Sequence, residues 1–296
     1  MIITLIAEFL AYQQSLGKSG STINGYRSAL CGVFGVLLGV THLAKHPLLS
    51  GVVNAARNER PVQPRYDDIW DAGLIPRYWS RTRADTLESK RAKAISLSML
   101  AIFARPSDMA RISALPQHFE LTPQGYKFRI RGAKEGKCAA RLTPVLYLHY
   151  WTEQQHDNNL GFSCCPAEAW QDYFTALELA NPVRLPLNAM VYPQGQFLAL
   201  TKQNFVSDDG SVRGRFHKPI GSQRISKVMK FVMEAAGVDT AVFTGGSARA
   251  AGSSAAFDRR CDIEYILSRG RWSSFETFRK FYLRSRVSAE ALEDFE

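Results

Sequence analysis

The stretch that decides the reading lies in the last quarter of the chain. It runs Gly245-Gly246-Ser247-Ala248-Arg249-Ala250-Ala251, then Gly270-Arg271-Trp272-Ser273-Ser274, then Phe278-Arg279-Lys280-Phe281-Tyr282-Leu283-Arg284. A guanidinium, an indole and a phenol follow one another in fixed order. Trp272 stands 23 residues after Arg249, and Tyr282 stands ten after Trp272. Apolar periodicity places the segments around them on helices, Ser247–Phe257, Ile263–Arg269 and Phe275–Leu283.

Working outward, the buried-looking helix Asp85–Ala104 carries Ile95, Leu97, Met99, Leu100, Ile102 and Phe103, apolar on nearly every side. It ends in Ala104-Arg105-Pro106-Ser107-Asp108, an Arg with an acid three residues on. Beyond it Tyr126-Lys127-Phe128-Arg129-Ile130-Arg131 alternates as a strand does. A turn over 132–137 with Lys134 and Lys137 follows, and Ala139–Val145 is expected to return as the partner strand. Helices are expected again at Asp68–Trp79, Pro166–Leu179 and Ser226–Ala236.

The first 60 residues read as three helices. Ile3–Gln14 ends before Gly17, a second is capped by Ser21 or Thr22, and a third runs over Pro47–Arg57. Arg60-Pro61-Val62-Gln63-Pro64-Arg65 then forbids a helix, because each proline lacks an amide donor and fixes its φ. The expected organisation is a helical domain at 1–60, a linker at 61–67 and a second domain at 68–296. The fold class is mainly α with a small antiparallel β-sheet (α+β).

Composition narrows the function classes. Hydrophobic residues make up 46% and charged residues 22%, ordinary for a globular chain. The net charge of +10 points to a polyanion partner. Residues 1–66 hold six Lys/Arg against two Asp/Glu, so both parts of the chain are basic. Five scattered cysteines, with Cys164 and Cys165 adjacent, lack zinc-ligand spacing, so no metal is expected and the compartment reads as reducing and intracellular. No membrane span is expected, since no run approaches 18 apolar residues.

The ordered set Arg105, Lys134, Arg249, Trp272, Tyr282 resembles the signature of the tyrosine recombinases, the phage-integrase family, with Asp108 as the acidic companion of the first Arg. The Trp272–Tyr282 interval is one residue longer than the commonest form. Ser21–Leu30, Pro64–Asp71 and Pro219–Ser226 look like recombinases of DIRS-type retroelements. The match covers nearly the whole chain in order.

The resemblance implies a core-binding domain and a catalytic domain forming a C-shaped clamp on double-stranded DNA, with Arg27, Arg65 and Arg224 among the DNA-binding residues. It further implies a homotetramer on DNA and, for a eukaryotic mobile element, a nuclear protein. The activity implied is strand exchange through a 3′-phosphotyrosine. The tail Ser288–Phe295 reads either as a frayed end or as a short amphipathic helix that docks on a neighbouring protomer.

The chemistry suits those residue types. A phenol with a reference pKa near 10 is a weak nucleophile and needs an electrophile whose charge is neutralised. Two guanidiniums, Arg105 and Arg249, can fork onto non-bridging oxygens, and a lysine can protonate the leaving 5′ oxygen. The covalent phosphotyrosine conserves the bond energy, so no cofactor is required. One position departs from the family. Where it has His three residues before the second Arg, this chain has Gly246, which can neither take nor give a proton. That leaves a second reading, a DNA-binding relative without catalysis, and a third, a type IB topoisomerase.

Overall fold

A computed structural model describes residues 2–112, 119–130, 145–152, 161–180, 205–206, 212–213 and 220–286. The chain divides into two compact units, Met1–Arg65 and Tyr66–Glu296. It is mainly helical with a small antiparallel sheet, the α+β class the sequence indicates.

The first unit holds α1 (Ile2–Ser15), α2 (Gly20–Leu37) and α3 (Pro47–Glu59). Ile6, Leu10, Ile23, Leu49 and Val53 form its core. The expected cap of α2 moves. Ser19, not Ser21 or Thr22, stands in the extended conformation and accepts from the Thr22 amide at 3.3 Å. The helix therefore starts a turn earlier, at Gly20, whose lack of a side chain lets it lie against the backbone of Arg57.

The second unit begins with a correction. Asp68–Ile69 is not the start of a helix but a short strand, β1, parallel to β7 (Ser285–Arg286). The helix, α4, is Leu74–Arg81. Asp71 explains the break: its Oδ1 accepts from the Gly73 amide at 2.9 Å, a side-chain turn that competes with helix.

Helix α5 (Leu87–Ala101) is the axis of this unit. Thr86 caps it by accepting from the Ser89 amide at 3.1 Å. Ten consecutive residues, Arg91–Leu100, are buried, as its all-round apolar pattern requires. Its buried serines are matched by indoles: Trp79 Nε1 donates to Ser96 Oγ, and Trp170 Nε1 to Ser98 Oγ. Around it pack α7 (Pro166–Ala180), α8 (Ser222–Ala235) and α9 (Ala248–Asp258). Helices α10 (Ile263–Gly270) and α11 (Phe275–Phe281) follow α9. The four-residue α6 (Pro106–Met109) lies between α5 and the sheet in the chain.

That sheet is β2 (Phe119–Thr122), β3 (Gly125–Phe128) and β4 (Leu146–His149), antiparallel in the order β2-β3-β4. The strand expected at 126–131 is thus shorter. It pairs with 119–122, a neighbour the sequence reading did not separate, and with 146–149. Gly125 is required where it stands: its φ is +133°, and a Cβ would lie 2.1 Å from the Leu148 carbonyl oxygen. Phe128 stacks on Trp170 at 5.8 Å, which joins the sheet to α7. A two-stranded piece, β5 (Phe205–Val206) with β6 (Val212–Arg213), completes the described strands. The segment 131–144, with Lys134, Lys137 and most of the expected return strand, lies outside the described residues, as does the tail beyond Arg286.

Candidate active site

Three close approaches build the site. Gly252 on α9 faces α5: a Cβ there would lie 2.7 Å from the Leu100 carbonyl oxygen, so the two backbones meet at van der Waals range. That contact sets Arg249, one turn earlier on α9, beside the turn that ends α5. In that turn Phe103 is held at φ +47°, unfavourable for a bulky side chain, and its carbonyl accepts from Arg249 Nη1 at 2.6 Å. Gly245 provides the second approach, since a Cβ there would meet the Ser226 carbonyl oxygen at 2.4 Å. Trp70 Nε1 donates to Ser247 Oγ at 2.8 Å, and Tyr66 Oη hydrogen-bonds Thr244 Oγ1 at 3.0 Å, so the loop before Arg249 is sewn to the start of the unit.

The third approach is Gly270 under Trp272. An added Cβ would lie 1.9 Å from the indole ring. Between them Arg271 caps α10 in the left-handed conformation, φ 58°, ψ 40°, a place glycine usually takes. The turn sends the Trp272 ring onto Arg249, whose guanidinium carbon lies 4.2 Å from the ring centroid. The same guanidinium lies 5.1 Å from the Tyr282 ring, and the Trp272 and Tyr282 rings are 4.8 Å apart. Phe103, Ile266, Trp272 and Phe278 form a small separate core under these groups. It seats α11 and, at its end, Tyr282.

Arg249, Trp272 and Tyr282, expected from sequence, are therefore brought together. Arg105 joins the cluster through Asp108, whose Oδ2 also meets Arg271, the residue before Trp272. The Arg105 amide donates to Asp108 Oδ2 at 3.0 Å, and its Nη1 lies 3.7 Å from the same oxygen. Asp108 is 1% exposed, Arg249 1% and Trp272 8%. Arg249 also donates through Nη2 to the Gly270 carbonyl. Burial first, then the adjacent Arg105 and Arg271, push the Arg249 guanidinium down from its ordinary range to about 9, against the opposing pull of Tyr282 and Asp108. It stays cationic at neutral pH. Trp272 Nε1 is buried and has no hydrogen-bond partner among the described residues.

Gly246 is exposed, and a Cβ there would meet only Thr244 Oγ1, at 3.8 Å. Arg65 and Arg224 are exposed. Arg27 is half-buried and braced inside the first unit, donating to Asn24 Oδ1 at 2.7 Å and Ser50 Oγ at 3.3 Å. Lys134 lies outside the described residues. Among the described residues no group of His, Cys, Asp or Glu could hold a metal ion.

Sequence reasoning missed three residues. Arg271 donates to Asp108 Oδ2 at 2.5 Å and joins the cluster. Its only sequence signal was its place between Gly270 and Trp272. Ser254 and Arg284 hold the backbone around Tyr282, and nothing in their spacing marked them.

No protein-family model matches the chain, and no curated protein matches it in sequence. Solved structures do match. XerH site-specific recombinase, bound to a palindromic difH substrate in a post-cleavage complex, aligns over 99% of this chain and 70% of its own, at TM-score 0.53 and 14% identity. The chain has the tyrosine recombinase fold. Two other recombinases align more loosely. XerA recombinase has TM-score 0.44 at 15% identity, over 97% of this chain and 88% of its own. The Tn1549 transposon integrase, with circular intermediate DNA, has 0.44 at 12%, over 99% and 84%. The cluster just described lies where the end of α5 meets α9, α10 and α11.

Proposed function

We propose that this chain is a site-specific DNA recombinase that cleaves and rejoins double-stranded DNA through Tyr282. One observation carries the reading: the Tyr282 ring lies against Arg249 and Trp272, in a cluster with Arg105 and Asp108.

In the proposed reaction the Tyr282 oxygen attacks a backbone phosphorus, and the bond to the 5′ oxygen breaks. Arg105 and Arg249 neutralise the non-bridging oxygens, and the Trp272 indole N–H donates to one of them. For Arg249 this means exchanging a backbone carbonyl for phosphate, a trade that a charge-assisted bond favours. Lys134, or Lys137, protonates the departing 5′ oxygen. Gly246 supplies no base, so the phenolic proton leaves to water. Attack by a second 5′ hydroxyl reverses the steps and joins a new strand without an external energy source.

The same reading makes unit 1 a DNA-binding domain, with its Arg27 and Arg65 on DNA together with Arg224 of the second unit, and the working assembly a tetramer on paired sites. It takes the chain to belong to a mobile element of the DIRS type, acting in the nucleus of a eukaryotic host. Among the described residues no helix is long and apolar enough to cross a membrane.

Gly246 favours a second reading, a DNA-binding relative that has lost cleavage. Nicked suicide DNA separates the two. The expected result is a denaturation-resistant protein–DNA adduct, abolished in Tyr282→Phe with DNA binding kept. Binding without any adduct would select the second reading. Relaxation of supercoils without joining between duplexes would select a type IB topoisomerase.

A further inference from the structure

Asp108 Oδ2 is a hub. It accepts from the Arg105 amide at 3.0 Å and from Arg271 Nη2 at 2.5 Å, and it lies 3.7 Å from Arg105 Nη1. The Asp108 and Arg271 side chains are 2% and 1% exposed, so this ion pair is buried, whereas the Arg105 side chain is 28% exposed. A buried ion pair is expensive to form, and it is weak evidence for stability by itself. The backbone adds a second cost. Arg271 sits at φ 58°, where a residue with a Cβ is strained and glycine is not. Chemistry that only needed to end α10 would be served better by glycine.

Two consequences follow from the side chain being there. It locks the Asp108 carboxylate, which fixes the backbone of Arg105 and keeps that guanidinium near its place. It also anchors the turn whose next residue is Trp272, the ring that lies on Arg249. Beside them the Trp272 Nε1 is buried without a hydrogen-bond partner among the described residues, a donor that a phosphate oxygen would satisfy.

We propose that Arg271 is a positioning residue of a phosphate clamp, holding Asp108 so that Arg105, Trp272 and Arg249 are set in advance for one phosphate group. This rests on the strand-cleavage reading for its role in the reaction, but the clamp itself is a statement about anion binding.

The experiment uses the full chain and the variants Arg271→Gly and Arg271→Lys. Two quantities are measured: the rise in Tm caused by inorganic phosphate, and the single-turnover rate of adduct formation on nicked suicide DNA. Arg271→Gly relieves the backbone, so it is expected to fold. It should lose most of the phosphate-induced rise and slow cleavage by about 10- to 100-fold. Arg271→Lys keeps the charge without the fork and should fall between; if the glycine variant does not fold, the lysine variant decides. Unchanged phosphate response and unchanged cleavage in the variants would overturn the proposal. If the unaltered chain forms no adduct but its phosphate response still depends on Arg271, the cleavage reading fails and the clamp stands. No adduct and no such dependence removes both.

Discussion

The Ser254 hydroxyl donates to the Tyr282 carbonyl at 3.0 Å and accepts from the Arg284 amide at 3.1 Å. Ser254 is fully buried on α9, five residues after Arg249 on the same helix. The helix that presents the guanidinium thus grips the backbone immediately after the phenol. Arg284 adds to the hold. Its Nη2 donates to the Lys280 carbonyl at 2.6 Å, closing the end of α11, and its Nε donates to the Tyr66 carbonyl at 2.7 Å. Burial lowers the Arg284 pKa, with Asp67 opposing.

Ser254→Ala leaves a carbonyl and an amide without their partner. The expected cost is about 1–3 kcal/mol of stability. Adduct formation should slow more than DNA binding weakens, because the phenol loses its register to Arg249. Urea unfolding and single-turnover cleavage measure the two effects. A variant that is destabilised yet cleaves at the unaltered rate would show that Ser254 serves the fold alone.

The two glycines before Arg249 should answer oppositely. Gly246 is exposed with open space around it, so Gly246→His should change stability by no more than about 0.5 kcal/mol. The imidazole adds a proton acceptor at the position where the resemblance places one, and adduct formation should be equal or faster. Gly245→Ala drives a Cβ to 2.4 Å from the Ser226 carbonyl oxygen and should cost about 1–3 kcal/mol. Thermal unfolding of the pair checks the contrast. A folded Gly246→His protein with slower cleavage would contradict it.

The fold and much of this site were legible because several levels of the sequence agreed. Helix α5 has no polar face, and such a helix has to be the centre of a domain. The order Arg105, Arg249, Trp272, Tyr282 could be picked out because each is a chemically committed side chain at a distinctive interval, and the structure brings the last three together. What escaped depends on tertiary pairing. Asp68–Ile69 reads as helix until Ser285–Arg286, over two hundred residues away, arrives beside it. Ser254 sits in a run of small residues whose function in sequence is only to let helices close. Nothing in the sequence marks Arg271 as buried, and only its ion pair with Asp108 reveals its place.

Gly270→Ala tests the seat of Trp272 without touching any charged group. The new methyl would overlap the indole, so the ring must leave its place over Arg249. About 1–3 kcal/mol of stability should go, and the near-ultraviolet circular dichroism should change. The cation–π contact and the indole donor are lost together, so cleavage should fall along with it. An unchanged aromatic signal would mean that the turn at 270–272 yields in some other way.

Arg224 and Arg27 offer the last contrast, because the same residue type stands in two different settings. Arg224 is exposed on α8, and its removal should leave stability within about 0.5 kcal/mol. If it meets a phosphate, Arg224→Ala should lower the slope of log affinity against log salt by about 0.9 and weaken binding to all DNA sequences alike. Arg27 is braced between Asn24 and Ser50, tying α2 to α3. Arg27→Ala should therefore destabilise the first unit by about 1–3 kcal/mol, through lost hydrogen bonds and lost packing of its stem. Its salt slope should move less than that of Arg224→Ala if the guanidinium stays in its brace on DNA. Titrations at several salt concentrations, read beside urea unfolding, distinguish the two. A slope unchanged by Arg224→Ala would place α8 away from the duplex.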